Sequence, residues 1–248
     1  MHTIFRPTKF FEIYRLMGVE AVISVAFYPI KPKFSETLED LFRWMIEREP
    51  NRLAKIGISG FCGIGIHPRS IPGSLNPKIY EIIEELIYRP NVVCLGEIGL
   101  EKGTQEEIEV LSRQLTIADQ NNFPVILHTP GKNKREITKK IVELLESFKI
   151  ERGVLDHISP ENIDLAINSN LLIGLTVQLG KLTVEKLLKI IREYKDSWER
   201  FVLNSDLGID IAEKYSVPIA VQRMVQEKMD IKLIERISFL NAKNLFGL

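Results

Sequence analysis

Short β-branched runs alternate with longer amphipathic stretches along this chain, and that order limits its architecture more than any other feature. The candidate strands are residues 19–27, 56–67, 92–100, 124–129, 153–158, 171–178 and 200–206. Between them apolar residues recur at helical spacing, as in Leu38, Leu41, Phe42 and Met45 or Ile137, Ile141, Leu144 and Leu145. Strands that alternate with amphipathic helices predict a parallel sheet with crossover helices. The strands are almost continuously apolar, as expected when both faces of a sheet are covered. No linker or break in composition interrupts the pattern, so residues 1–248 read as one domain.

A chain of 248 residues suits a single (β/α)8 TIM barrel. Such a barrel needs eight strands, and the helix-like stretch 8–17 precedes the first of those found. The missing strand belongs upstream, where Met1 to Phe5 is too short to cross a barrel at about 3.3 Å per residue. The expected fold is therefore an α/β barrel with strand one largely missing. Ser35 and Thr104 are expected to cap the helices that follow them, and Pro160 to sit in a first helical turn. The tail 219–248 is expected to supply the last outer helix.

The formal net charge is zero, so no global positive field collects a polyanion, and a nucleic-acid contact requires a local patch. The two cysteines, Cys62 and Cys94, lie in apolar runs without CxxC spacing and read as reduced, buried thiols. A cytoplasmic location follows from that reading. Nothing approaches the roughly 20 apolar residues that cross a bilayer, and the opening residues lack the apolar core of a secretory signal.

All four histidines fall where predicted strands run out: His2, His67 in Gly65-Ile66-His67-Pro68, His128 in Ile126-Leu127-His128-Thr129-Pro130, and His157 in Leu155-Asp156-His157-Ile158. Glu97 in Leu95-Gly96-Glu97-Ile98-Gly99-Leu100 and Asp206 in Asn204-Ser205-Asp206 have the same address. The carboxyl ends of parallel barrel strands converge on one face, so these side chains can meet there. A carboxylate among apolar neighbours is costly unless it is paired or bound to a cation, and a shared metal centre answers for both. Individually each has another reading: a structural histidine at His67, half of a buried ion pair at Glu97, a helix cap at Asp206.

These segments resemble the TatD-like metal-dependent hydrolases of the amidohydrolase class of barrels. Gly65-Ile66-His67-Pro68 looks like that family's third-strand segment and Gly96-Glu97-Ile98-Gly99-Leu100 like its fourth-strand signature. His128, His157 and Asp206 follow in the order of strands five, six and eight. The resemblance implies one or two divalent ions, Zn, Mn or Mg, with His2, Glu97, His128, His157 and Asp206 as ligands. It further implies that Glu97 bridges the ions and that Asp206 takes the proton of the attacking water, which makes Glu97 and Asp206 the catalytic pair. His2 stands as the second histidine of a His-x-His pair, so the first is expected upstream of Met1. Glu101 and Asn204 depart from the family pattern, where acidic residues of other length or position are frequent, and Thr129 suggests a divergent branch.

The basic cluster Lys132, Lys134 and Arg135, with Lys139 and Lys140 one turn on, either receives substrate phosphates or forms a solvated helix face. His67, Lys132, Lys134 and Arg135 are the substrate-binding candidates. The substrate is a nucleic acid, as the resemblance implies for some members, or a small-molecule amide, lactone or amine. A metal-poor barrel that serves as a binding scaffold is the non-enzymatic alternative. No membrane is involved, and the sequence sets no oligomeric state.

Overall fold

The computed structural model of the chain describes residues 1–209 and 214–248. Seven parallel strands lie side by side in chain order: β1 (Ala21–Val25), β2 (Ser59–Ile64), β3 (Val92–Gly99), β4 (Val125–His128), β5 (Gly153–Leu155), β6 (Leu172–Thr176) and β7 (Phe201–Asn204). Each arises from one of the seven apolar runs. The strands stop earlier than the runs do, because Ile66, Leu100, Ile158, Val177 and Leu207 are buried beyond the last strand residue. Burial under the loops keeps these positions apolar, so hydrophobicity alone overstates strand length. His67, His157 and Asp206 accordingly lie just past their strands, whereas His128 ends β4 and Glu97 lies within β3.

The edges of this curled sheet are bridged by the first two residues. Met1 N lies 3.4 Å from Ile23 O, and Val25 N–H donates to Met1 O at 2.9 Å, a parallel pairing on β1. His2 N–H donates to Leu207 O at 2.7 Å, just beyond β7. Met1 and His2 thus lie between β1 and the residues that follow β7 and join the two edges of the sheet.

Helices cover the outside. Thr104 caps Gln105–Gln120 as expected, its hydroxyl accepting from Glu107 N–H at 3.3 Å. Ser35 does not cap its helix: its hydroxyl accepts from Asn76 N–H at 2.8 Å instead, tying two loops together. Pro160 precedes the short helix Ile163–Ile167 rather than entering its first turn. The tail divides. Leu233, Ile234 and Ile237 join the outer core as expected, but Phe246 in the helix Asn241–Phe246 packs against Val93, Cys94 and Val154, with Ile23, Phe61, Ile126 and Leu172 alongside. These residues come from the starts of six strands, so the last helix closes the amino end of the barrel and leaves the carboxyl end open.

Cys62 and Cys94 are free and buried, and burial pushes the Cys62 thiol up to about 12. Among the described residues no helix is long and apolar enough to cross a membrane.

Gly99 is required where β3 meets β4. Its φ is +146°, and a Cβ there would lie 2.4 Å from His128 O. Gly99→Ala is expected to cost about 1–3 kcal/mol, as overpacking does, and to displace His128. Urea denaturation of the variant checks this, and an unchanged midpoint would refute the contact as a constraint.

Candidate metal centre

Glu97 is the hub. Its carboxylate is 2% exposed, and Oε1 lies 2.7 Å from His157 Nε2 and 3.1 Å from His128 Nδ1. Oε2 faces His2 Nε2 at 3.7 Å and His67 Nε2 at 3.9 Å. Asp206 joins through His2, whose Nε2 is 3.1 Å from Asp206 Oδ1. Six residues from six separate loops and strands meet here, as the topology requires.

Hydrogen bonds on the far side of each ring decide which nitrogen is free. His2 Nδ1 lies 2.9 Å from Val25 O, and a carbonyl only accepts, so Nδ1 carries the proton and Nε2 keeps its lone pair. The Thr176 hydroxyl lies 3.2 Å from Asp156 Oδ1 and 2.7 Å from His157 Nδ1. Donation to the carboxylate leaves Thr176 to accept from His157 Nδ1–H, which again frees Nε2. His67 is the reverse case: its Nδ1 accepts from Arg69 N–H at 3.0 Å, so its Nε2 bears the hydrogen. His67 can therefore donate to a substrate oxygen but, in this arrangement, offers the centre no lone pair.

His128 stands between two carboxylates, Glu97 and Glu101, with its Nε2 2.7 Å from Glu101 Oε2. Burial opposes its charged form, but the bonds to Glu101 and Glu97 outweigh burial and raise His128 to about 9. Glu107 fixes the loop that carries Glu101, its Oε2 accepting from the N–H groups of Glu101, Lys102 and Gly103 at 3.0, 2.9 and 2.8 Å. Glu97 and Asp206 are both held well below the ordinary carboxylate range. Burial works against this, but positive charge on the surrounding imidazoles, with Lys181 at Asp206, outweighs it, and a cation takes that role where the rings are neutral. Burial and the charge of His128 keep His67 well below its usual value and neutral.

His157 and Asp206 have φ of 60° and 43°, in the left-handed region that costs a side-chain-bearing residue about 1–2 kcal/mol. Each is over-determined by neighbours. His157 N–H donates to Asp156 Oδ1 at 2.7 Å and Lys134 Nζ donates to His157 O at 2.6 Å, while Gln178 Nε2 donates to Asp206 O at 3.0 Å.

A cavity of about 1260 Å³ opens above the cluster. His67, Lys132 and Lys134 line it, as do Arg69, Lys181 and Lys186. Burial and the nearby Lys181 lower Lys134 to about 8. Arg135, expected among the substrate contacts, is not in the lining: its guanidinium forms a two-pronged pair with Asp164 at 2.6 and 2.7 Å. It sits on the next helical position after Lys134 and so points away from it. Lys139 and Lys140 pair with Glu143 and Glu136 on the outer helix face.

Sequence reasoning missed Lys181, whose Nζ is 2.5 Å from Asp206 Oδ2, and Asp156, which organises His157. Asp156 carried a readable signal, a carboxylate in an apolar strand end like Glu97. Lys181 carried none, because a lysine in a loop has no distinguishing context.

A barrel whose carboxyl face gathers imidazoles and carboxylates around one buried glutamate defines a metal-dependent hydrolase. The family profile described as TatD related DNase matches residues 9–247. An uncharacterised metal-dependent hydrolase of Methanocaldococcus jannaschii is 34% identical over 250 residues, covering 100% of this chain and 98% of that protein. The crystal structure of a TatD-like protein from Archaeoglobus fulgidus superposes with a TM-score of 0.81 at 34% identity, covering 100% of this chain and 98% of the other. A 3'-5' ssDNA/RNA exonuclease TatD of Dickeya dadantii is 30% identical over 127 residues, 47% of this chain and 46% of that one. The chain belongs to the TatD-related DNase family.

The raised value of His128 predicts a pH dependence for the cation-free protein. A histidine raised above its unfolded value near 6.5 stabilises the fold fully below about pH 6.5, and loses that contribution as pH rises through about 9. The stability advantage over His128→Gln, measured by denaturation in chelator, should shrink across that window. An advantage that grows toward pH 9 contradicts the pairing.

Proposed function

We propose that this protein hydrolyses phosphodiester bonds of nucleic acid at a divalent-cation centre held by His2, Glu97, His128, His157 and Asp206. The observation that carries the proposal is the convergence of acceptors: His2 Nε2, His157 Nε2, Glu97 and Asp206 Oδ1 face one another with their hydrogens committed elsewhere. Lone pairs and carboxylate oxygens at such separations in a buried site repel unless a cation or additional protons stand among them. Imidazole with carboxylate suits Zn, Mn or Mg, and a bound divalent ion supplies hydroxide near neutral pH.

The chain's own groups do the rest. Asp206 accepts the proton of the attacking water on a carboxylate paired with Lys181. Glu97, buried at the hub, fixes the imidazoles at their working positions. His67 presents Nε2–H to a substrate oxygen. Lys132, Lys134, Lys181 and Arg69 around the cavity receive the phosphates. A nucleic-acid substrate is supported by family membership and by the exonuclease activity named for the Dickeya dadantii relative.

The test is turnover of a single-stranded oligonucleotide with added Mn or Zn. Chelation should abolish cleavage, and Asp206→Asn should lower kcat by about 10²–10⁴, the range for a lost general base. Turnover of a carboxylic ester without any phosphodiester cleavage would replace this reading with the small-molecule one. For binding, Lys132→Ala should reduce the salt slope by about 0.7 per lost phosphate contact, while Arg135→Ala leaves it unchanged. Equal effects of the two would show that the cavity rim does not select the substrate.

A further inference from the structure

His2 is carried by a segment with no ladder of its own beyond Met1, yet its imidazole is fixed at the centre of the molecule. The fixing comes from a buried network on the side away from the cavity. Thr3, directly after His2, is fully buried. Its N–H donates to the Ser24 hydroxyl at 3.1 Å, and its own hydroxyl donates to Glu49 Oε2 at 2.6 Å. Arg52 closes the arrangement: Nη2 donates to Thr3 O at 3.0 Å and to Glu49 Oε2 at 2.6 Å, and Nη1 donates to Arg6 O at 3.1 Å. The guanidinium also lies over the Phe11 ring, 5.2 Å from its centroid.

Glu49 is 2% exposed, and neither it nor Arg52 lines the cavity. Burying such a pair is expensive, and apolar side chains of similar volume would serve packing as well or better. What apolar replacements would not supply is direction. Three of the bonds end on backbone or hydroxyl groups of Thr3 and Arg6, the residues that set where the His2 Cα lies.

We propose that Arg52 and Glu49 are positioning residues for His2, which tune the cation affinity of the centre from outside it. The inference rests on His2 being a ligand. By anchoring the turn Thr3–Phe5 to the helix Glu49–Ala54, they hold His2 Nε2 opposite Glu97 and Asp206. Loss of the anchor lets the segment move and removes one imidazole from the donor set, while Glu97, His128 and His157 stay in place.

Calorimetric titration of the metal-free protein with Mn²⁺ tests this. Arg52→Gln and Thr3→Val are each expected to weaken Mn²⁺ binding about tenfold, the low end for outer partners of metal ligands, and Arg52→Lys to recover part of the loss. The double variant His2→Ala/Arg52→Gln should bind no more weakly than His2→Ala alone, since the clamp acts only through His2. Additive losses in the double variant, or unchanged affinity in folded Arg52→Gln and Thr3→Val, overturn the proposal. Thr3→Val is nearly isosteric and keeps the experiment decisive where Arg52→Gln does not fold. His2→Ala with wild-type affinity would instead refute His2 as a ligand, a separate failure.

Discussion

Everything at the open end of this barrel answers to one electrostatic conflict: nitrogen lone pairs and carboxylate oxygens directed at one another around Glu97 in a site nearly closed to water. In bulk water such groups would be screened and hydrated. Here burial removes both remedies, so the polypeptide must hold the groups against their mutual repulsion until a positive charge joins them. Carbonyl and hydroxyl partners behind His2 and His157 do this by fixing each ring's tautomer. Left-handed backbone at His157 and Asp206 does it by spending local conformational energy to aim side chains that ordinary backbone would turn elsewhere. His128 differs from its neighbours because carboxylates lie at both nitrogens, and it takes up positive charge itself.

The two ends of the barrel divide the work that this conflict imposes. At the amino end Phe246 and the strand starts form an apolar layer. A packed floor of that kind stiffens the strands that carry Glu97 and His128, because close-packed interiors transmit displacement rather than absorb it. At the carboxyl end the loops are tied down individually, as Glu107 ties the one bearing Glu101 and Lys134 the one bearing His157. Rigid strands with separately braced loops allow the site to be dry and polar at once.

The sequence made the barrel legible because period and alternation survive without tertiary information: each of the seven apolar runs contains one strand. It made the hub legible for a related reason, since a lone acid in an apolar run must have a partner. Strand ends were not legible, because Ile66 and Leu100 lie past the ends of β2 and β3 and are apolar from burial rather than from a place in the ladder. Nor was the direction of a basic cluster. Lys134 and Arg135 are adjacent, yet one bonds to His157 O beside the cavity and the other to Asp164 outside it. Successive helical positions differ by about 100° around the axis, and only the packed helix says which of them faces inward.

A chain of zero formal charge is a poor global attractor for polyanions, but the charge is unevenly placed. Arg69, Lys102, Lys132, Lys134, Lys181 and Lys186 line the same cavity as Glu97, Glu101, Glu161 and Asp206. Lys181 already engages Asp206 and the charged His128 engages Glu97 and Glu101, so the balance that an approaching anion meets is positive. A concave site with an excess of cations concentrates its field in the opening, and a divalent ion at the floor would add to it. Neutrality of the whole molecule therefore argues against indiscriminate binding along its surface and leaves attraction at the cavity intact.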